Sequence, residues 1–289
     1  MKLRSVQPIV LAIVLGALAS GCMPTKVVKA DAEPQTSVRQ YLVAGEQAER
    51  AGDTDLALMN YTKAVSEEPN NAEVHFRVGR IHMASGNTST AQQAFRRALT
   101  LQPAHTGAME GLGLLLLEAG QRDAARKLLE AVAAKDAQRW RTQNALGVLA
   151  DLNNDTAKAQ AFYQKALALQ PNRPEVLNNL GYSYYLSGDL DSARAQFERA
   201  AALDPKDVHA WSNLGLVLSR QSKYDSAIQA YEHVMTPAEA RYTTAYYCMI
   251  AGRIDDARPL LDAAILSSPS YYEAAQTALQ QINAARAGR

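Results

Sequence analysis

Glycine recurs at a constant interval through most of the chain. Six glycines are each 34 residues apart, namely Gly45, Gly79, Gly113, Gly147, Gly181 and Gly215. A second set of positions lies seven residues after each of them. Four of these positions hold glycine, and the other two hold Asn154 and Ser222; the set is Gly52, Gly86, Gly120, Asn154, Gly188 and Ser222. A fixed period of this length is the signature of a solenoid, in which each repeat is one supersecondary unit stacked on its neighbours.

The residues within each period predict two helices. An Ala lies five residues after the second glycine position, and an aromatic residue or Leu lies four residues later, as with Ala193 and Phe197. Residues four apart share one face of a helix, so this pair is expected to pack on the first helix of its unit. The first glycine is expected where the helices cross closely, and the second in the turn, where a positive φ is often needed. Four units close on a proline, at Pro69, Pro103, Pro171 and Pro205.

The order of these residues resembles the tetratricopeptide (TPR) pattern, and the stretch "LNNLGYSYYLSGDLDSARAQFERAAALDP" (177–205) shows it most fully. The resemblance covers residues 38 to about 271 and implies an all-α superhelical solenoid of about seven helix-turn-helix repeats. The predicted units are 38–71, 72–105, 106–139, 140–173, 174–207, 208–237 and 238–271. The sixth is four residues short around "MTPAEA" (235–240), which predicts a tighter helix junction. Residues 272–289 are expected to form a C-terminal capping helix.

The first 37 residues do not share the repeat. A basic start, an apolar run at 9–19 and small residues before Cys22 predict a signal peptide over 1–21. The stretch "LASGC" resembles the bacterial lipoprotein signal, which implies lipidation of Cys22; the alternative is a secretory signal with an incidental Cys. Residues 22–37 are then the lipidated Cys and a flexible tether. With Met23 rather than Asp after the Cys, the expected location is the outer membrane, facing the periplasm.

Charge and motifs argue against several functions. Without residues 1–21 the chain has 28 basic against 29 acidic residues. This near-zero net charge gives no indication of nucleic-acid binding. Cys248 is then the one thiol besides Cys22, and no internal disulfide is expected. His75 and His82 fall on packing positions and are expected to be structural. The sequence shows no metal-ligand spacing, phosphate loop or nucleophile motif, so we expect no cofactor, no catalytic residue and no enzyme activity.

A partner is expected on the concave side of the superhelix, which the first helices line. The candidate partner-binding residues there are Phe76, Arg80, Asn144, Asn178, Asn179, Tyr182, Tyr185, Asn213, Leu216, Tyr242 and Tyr246. Tyr offers a stacking surface with a hydroxyl, and Asn can hydrogen-bond a peptide backbone at both ends. This lining suits an extended or helical peptide with hydrophobic anchors. The alternative is that the tyrosines only pack against neighbouring repeats.

The chain also resembles TadD, the TPR lipoproteins of tight-adherence (Flp) pilus assembly. The resemblance rests on "LASGC", on 177–205, on "AWSNLGLVLSRQSKYDSAIQAY" (210–231) and on "AGRIDDARPLLDAAILSSPSYYEAA" (251–275). It implies a pilotin-like factor that helps the pilus secretin, an outer-membrane protein, to localise or multimerise. Two alternatives remain open: a type IV pilus pilotin, and an adaptor that docks peptidoglycan hydrolases, as NlpI-like lipoproteins do.

Overall fold

The computed structural model describes residues 34–268 and 272–287, and within these ranges the chain forms fifteen helices and no strand. They are α1 (Pro34–Ala51), α2 (Thr54–Glu67), α3 (Ala72–Ala84), α4 (Thr88–Leu101), α5 (Thr106–Glu118), α6 (Arg122–Lys135), α7 (Trp140–Asp151), α8 (Thr156–Leu169), α9 (Pro174–Ser187), α10 (Leu190–Leu203), α11 (Val208–Arg220), α12 (Tyr224–Glu232), α13 (Pro237–Ile250), α14 (Ile254–Ser267) and α15 (Glu273–Ala287). The signal peptide, Cys22 and the tether up to residue 33 lie outside the described residues.

Helices α1 to α14 form seven hairpins that stack side by side. The two helices of each unit pack on one another, and from α3 onward each first helix also contacts the first helix of the next unit. The first helices α3, α5, α7, α9, α11 and α13 therefore form a continuous inner layer, as predicted for a superhelical solenoid. Helix α1 begins at Pro34, four residues before the predicted first unit, because proline is well accommodated in the first turn of a helix.

The turns between paired helices use the second glycine position as predicted. Gly188 ends α9 with φ of 86°, in the left-handed region that glycine adopts without steric cost. Asn154 and Ser222 occupy the same position with φ of 60° and 61°. The next helix then begins with a side-chain cap in several units; Asp189, for example, accepts a hydrogen bond from the Ser192 amide at 3.0 Å.

The first glycine position receives the large side chain of the second helix. A methyl group added to Gly147 would come within 2.5 Å of a ring carbon of Tyr163, and one added to Gly79 within 2.6 Å of Phe95. These rings are almost wholly buried. The prediction of a close crossing is therefore confirmed, and the group that approaches is the ring sixteen residues later in the same unit.

The sixth unit is shortened in its second helix. Helix α12 has nine residues, whereas α10 has fourteen. His233, just after α12, stacks on Trp211 of α11 with ring centroids 3.6 Å apart. Helix α13 begins with a capping box between Thr236 and Glu239. The link before it, 233–236, is as long as the link 204–207 between α10 and α11, and α13 contacts α11 as the other first helices contact one another. The missing residues are therefore taken from α12, and a tighter junction stays a prediction.

The seventh unit is completed by α15. Ala245 stands at the first glycine position, and the smaller Leu261 replaces the aromatic ring that packs there in most units. Cys248 is buried in the same cluster, and burial raises the pKa of its thiol. Ala275, Ala278 and Ile282 of α15 cover this cluster. The last helix therefore shields the apolar end of the stack, as a capping helix must.

Candidate functional site

The inner layer brings the asparagines of three units into contact. Asn179 of α9 donates from Nδ2 to Oδ1 of Asn144 in α7 at 3.0 Å. Asn213 of α11 donates in the same way to Asn178 at 2.9 Å. We call these four residues the asparagine ladder. All four are half-buried, and the Asn144 amide nitrogen and the Asn179 carbonyl oxygen form no hydrogen bond within the described residues. These groups can pair with the backbone of a bound peptide.

An acidic residue lies beside the ladder. Asp151 accepts hydrogen bonds from the Ser183 hydroxyl at 2.8 Å and from the Tyr163 hydroxyl at 3.0 Å. Burial raises the pKa of the Asp151 carboxyl above its usual value, although these two hydrogen bonds act in the opposite direction. Asp151, Asn178, Asn179 and Tyr182 line a groove of about 370 Å³, which therefore combines amides, a carboxyl group and an aromatic wall.

Four tyrosines from α9 and α13 form a second group, the tyrosine cluster. Tyr182 and Tyr185 stack with centroids 5.9 Å apart, and Tyr246 meets Tyr247 edge to face at 5.6 Å. Burial raises the pKa of Tyr247, and Tyr185, Tyr246 and Tyr182 contribute to the same shift in that order. Tyr185 and Tyr247 also pack against the same buried cluster, that of the sixth unit, so the two pairs are neighbours.

The members of the tyrosine cluster differ in exposure. Tyr182 is 44% exposed and Tyr246 is 45% exposed. Tyr185 is half-buried against the core of the sixth unit, and Arg220 donates to its hydroxyl at 3.2 Å. Tyr185 therefore packs between repeats, as the alternative interpretation has it, whereas Tyr182 and Tyr246 retain free surface and their role in binding stays a prediction.

Apolar side chains extend the exposed surface of this cluster. Leu186 lies one turn beyond Tyr182 and is 46% exposed, and Ile250 lies one turn beyond Tyr246 and is 62% exposed. Leu216 of α11 is half-buried on the helix between them. Tyr242 does not join the cluster. Its ring meets Tyr272 at 5.4 Å, beside the capping helix.

Phe76 and Arg80 lie at the opposite end of the inner layer. The Phe76 ring is 6.1 Å from that of Phe95 and 4.7 Å from that of His105. Arg80 forms an ion pair with Glu49 at 3.3 Å, and its guanidinium lies 5.9 Å from the Phe76 ring centroid.

Several residues that share these surfaces are not among the candidates predicted from the sequence: Gly107, Gly111, Arg139 and Arg141 beside Phe76, and Tyr247 in the tyrosine cluster. One signal pointed to the first group, because the two glycines are four residues apart on α5 and lie outside the 34-residue period.

The part of the chain that the structure describes offers neither a metal cluster nor a helix that could cross a membrane. No group of three or more His, Cys, Asp or Glu side chains there is arranged to hold a metal ion. Among the same residues, no helix combines the length and apolar character needed to cross a bilayer. His75 contacts the Pro69 carbonyl oxygen through Nε2 at 2.8 Å, which suits a structural residue.

Sequence profiles of three families match most of the repeat region. The family described as the cilia and flagella-associated protein 70 middle TPR-like domain matches residues 41–150. Two tetratricopeptide repeat families match residues 141–173 and 178–240. No match was found among curated proteins.

Solved structures share the fold at low sequence identity. The APC/C hetero-tetramer Cut9-Hcn1 aligns with a TM-score of 0.60 and 20% identity over 84% of this chain; the match spans about half (48%) of that chain. A tetratricopeptide repeat protein from Parabacteroides merdae gives 0.56 at 15% identity, covering 86% of this chain and 99% of the other. PilF of Pseudomonas aeruginosa gives 0.57 at 17% identity, covering 77% and 97%.

These structures establish the fold and not the partner, since identity is below 25% in each. The 34-residue period, the stacked helix pairs and the matched profiles agree with one another along the repeat region. The chain belongs to the tetratricopeptide-repeat family.

Proposed function

We propose that this protein is a lipid-anchored scaffold that binds a protein partner during assembly of a cell-envelope machine. TPR folds serve as protein-interaction scaffolds, and the inner layer here offers a surface of suitable chemistry. The single observation that carries the proposal is the tyrosine cluster, in which Tyr182 and Tyr246 leave nearly half of their surface exposed beside Leu186 and Ile250. Exposed aromatic and aliphatic side chains on one concave face are typical of a binding site.

The asparagine ladder supports a peptide partner in particular. Its unpaired amide groups lie next to the aromatic surface, so one ligand can use both. An extended segment has backbone groups that need such partners and side chains that need apolar contacts. The candidate site is therefore suited to a flexible segment of a larger protein.

The lipobox-like sequence and the TadD resemblance direct the proposal to the envelope. The machine that we propose is the tight-adherence (Flp) pilus. The protein would sit on the outer membrane through a lipid on Cys22 and act as a pilotin-like factor for the secretin. A type IV pilus pilotin and an adaptor for peptidoglycan hydrolases are the alternatives. All three roles use the same anchored solenoid with a different partner.

The test is capture of the partner from detergent-solubilised envelopes with the tagged, membrane-anchored protein, followed by mass spectrometry. We expect a dominant secretin that is lost when Tyr182→Ala and Tyr246→Ala are combined. Leu266→Ala is the control, because Leu266 of α14 is 87% exposed and lies outside the tyrosine cluster.

The alternatives give different results in the same experiment. Recovery of several cell-wall hydrolases without a secretin would replace the pilotin proposal with the adaptor. Deletion of the gene separates them again. Loss of a pilotin should abolish pili and leave the cell shape normal, whereas loss of an adaptor should change the cell shape.

A further inference from the structure

A second groove lies on the inner layer, far along the chain from the tyrosine cluster. It has a volume of about 420 Å³ and is lined by residues of α3, α5 and α7, together with Phe95 of α4 and Arg139 just before α7. Its floor consists of Phe76, Phe95, Gly107, Gly111 and Leu114. We call it the arginine groove, because Arg80, Arg139 and Arg141 surround this apolar floor.

Two glycines shape the floor. A methyl group on Gly107 would come within 2.7 Å of the Phe76 ring, and one on Gly111 within 2.5 Å of the Phe95 ring. Any larger residue at either position would displace a ring. His105 fixes the other side of Phe76: its Nδ1 accepts from the Ala108 amide at 3.1 Å, leaving Nε2 to donate to Glu73 at 3.1 Å. The aromatic floor is therefore held in place before any ligand arrives.

The charges of the arginine groove are unbalanced. Glu110 is its one acidic lining residue, and both carboxylate oxygens are occupied: Arg139 donates to one at 2.9 Å and Thr142 to the other at 2.7 Å. Arg141 is exposed and has no ion pair within the described residues; its guanidinium rests 4.7 Å from the Trp140 ring centroid. Arg80 is 44% exposed and shares Glu49 with Arg77. Arg80 is thus paired with Glu49, and Arg139 is paired with Glu110 and also with Asp136 at 3.0 Å. Arg141 is the one guanidinium of the groove without an ion pair within the described residues.

The arginines lie on both sides of the apolar floor. Arg80 is on α3, Arg141 is on α7, and α5 lies between these helices and contacts both. A ligand that spans the groove therefore meets a cation, then an apolar surface, then a second cation. Guanidinium groups favour carboxylates, with which they form charge-assisted and often bidentate hydrogen bonds.

Building on the proposed scaffold function, we propose that the arginine groove binds an extended acidic segment of the protein partner, with an apolar residue between two acidic ones. Alternate residues of an extended chain point to the same side. The pattern that fits is therefore acidic, any, apolar, any, acidic. Its two acidic residues are about 13 Å apart at the usual rise per residue. The apolar side chain rests on Phe76 and Leu114, and the carboxylates meet Arg80 and Arg141.

The test uses the purified full-length chain and fluorescein-labelled synthetic peptides, with binding followed by fluorescence anisotropy at low salt. The probe is Gly-Ser-Glu-Ser-Leu-Ser-Glu-Ser-Gly. We expect saturable binding that weakens about tenfold or more when both Glu are replaced by Gln, as the loss of two charge-assisted contacts implies. Replacing the Leu by Ser should also weaken binding, because the floor is apolar.

Variants of the protein locate the site. Arg80→Gln combined with Arg141→Gln should weaken binding of the probe about tenfold and leave the melting temperature nearly unchanged, because both side chains are substantially exposed. Arg122→Gln combined with Lys127→Gln is the matched control, since both residues are exposed on the outer α6 and their loss removes the same two positive charges. That control should bind like the wild type.

The proposal would be overturned by no saturation up to millimolar probe, by equal binding by the double arginine variant, or by equal binding of the Leu and Ser peptides. The proposal would also be overturned if inorganic phosphate displaced the labelled probe as effectively as the unlabelled peptide does, because the site would then recognise an anion alone. A secretin capture that needs Tyr182 and Tyr246 but not Arg80 and Arg141 would leave the proposed function standing and reject the groove.

Discussion

Phe197 lies directly on Gly181, with a ring carbon 2.8 Å from the position that a methyl group on Gly181 would take. The same relationship links residues sixteen apart in five other units, with Leu129 in place of the ring in the third. The contact allows the two helices of a unit to approach closely with a large side chain between them. It explains why the glycine and the large residue recur together in the sequence.

Gly181→Leu should destabilise the solenoid by about 3 kcal/mol, the upper range for overpacking, because the new side chain collides with Phe197. Urea denaturation measures the loss. Gly188→Ala is the companion variant: nothing lies within 4 Å of an added methyl group there, but φ is 86°. Its free energy of unfolding should fall only by the cost of placing Ala in the left-handed backbone conformation, about 1 to 2 kcal/mol. An unchanged denaturation midpoint for Gly181→Leu would show that the ring does not pack on this glycine.

Ser222→Gly should stabilise the chain, because Ser222 has φ of 61° at a turn position where most units have glycine. We expect a gain of about 0.5 to 1 kcal/mol, less than the full left-handed cost because the substitution also removes a surface hydrogen bond from Arg253. Asn154→Gly should gain less, since Asn tolerates this conformation better than Ser. Thermal unfolding of both variants tests the order. A greater gain for Asn154→Gly would contradict the argument.

Tyr182 and Tyr185 should differ when each is changed to Ala. Tyr182→Ala should keep the melting temperature, because its side chain is 44% exposed, and should weaken partner capture. Tyr185→Ala should lower the free energy of unfolding by about 1 to 2 kcal/mol, since part of its ring packs on the sixth unit. Circular dichroism melting compares the two. Equal losses of stability would mean that Tyr182 is also a core residue.

Asp151→Asn should alter how stability depends on pH. Because burial raises the folded-state pKa of Asp151, the folded chain holds this proton more tightly than the unfolded chain does. The stability linked to this group is therefore full at low pH and is lost as pH rises through the folded-state pKa. Asn does not titrate, so the melting temperature of the variant relative to wild type should rise between pH 3.5 and pH 7, approximate limits that bracket the usual aspartate range.

Asp189→Asn is the control with the opposite sign. The hydrogen bonds that it accepts from Ser192 lower the pKa of Asp189, so its stabilising effect is present above the unfolded-state pKa and is lost as pH falls. The melting temperature of this variant relative to wild type should therefore fall as pH rises. Parallel pH profiles for the two variants would contradict the environment assigned to Asp151.

The amino-acid sequence is sufficient to predict the repeat architecture. The period, the glycine and ring pairs and the turn residues are local requirements repeated in each unit, so their spacing predicts the helices and where they cross. The shortened sixth unit and the capping helix followed from departures from the same period. The signal peptide, the lipid on Cys22 and the outer-membrane location remain predictions.

Which inner-face residues are free, and which groups they form, depends on how the helices pack in the folded chain. The asparagine ladder, the tyrosine cluster and the arginine groove each join side chains from at least two units, and Gly107, Arg141 and Tyr247 enter through positions that the period does not mark. Tyr182 and Tyr185 look equivalent in the sequence and differ in burial. The physical reason is that exposure depends on how neighbouring units stack, and a period within one unit does not encode the contacts between units.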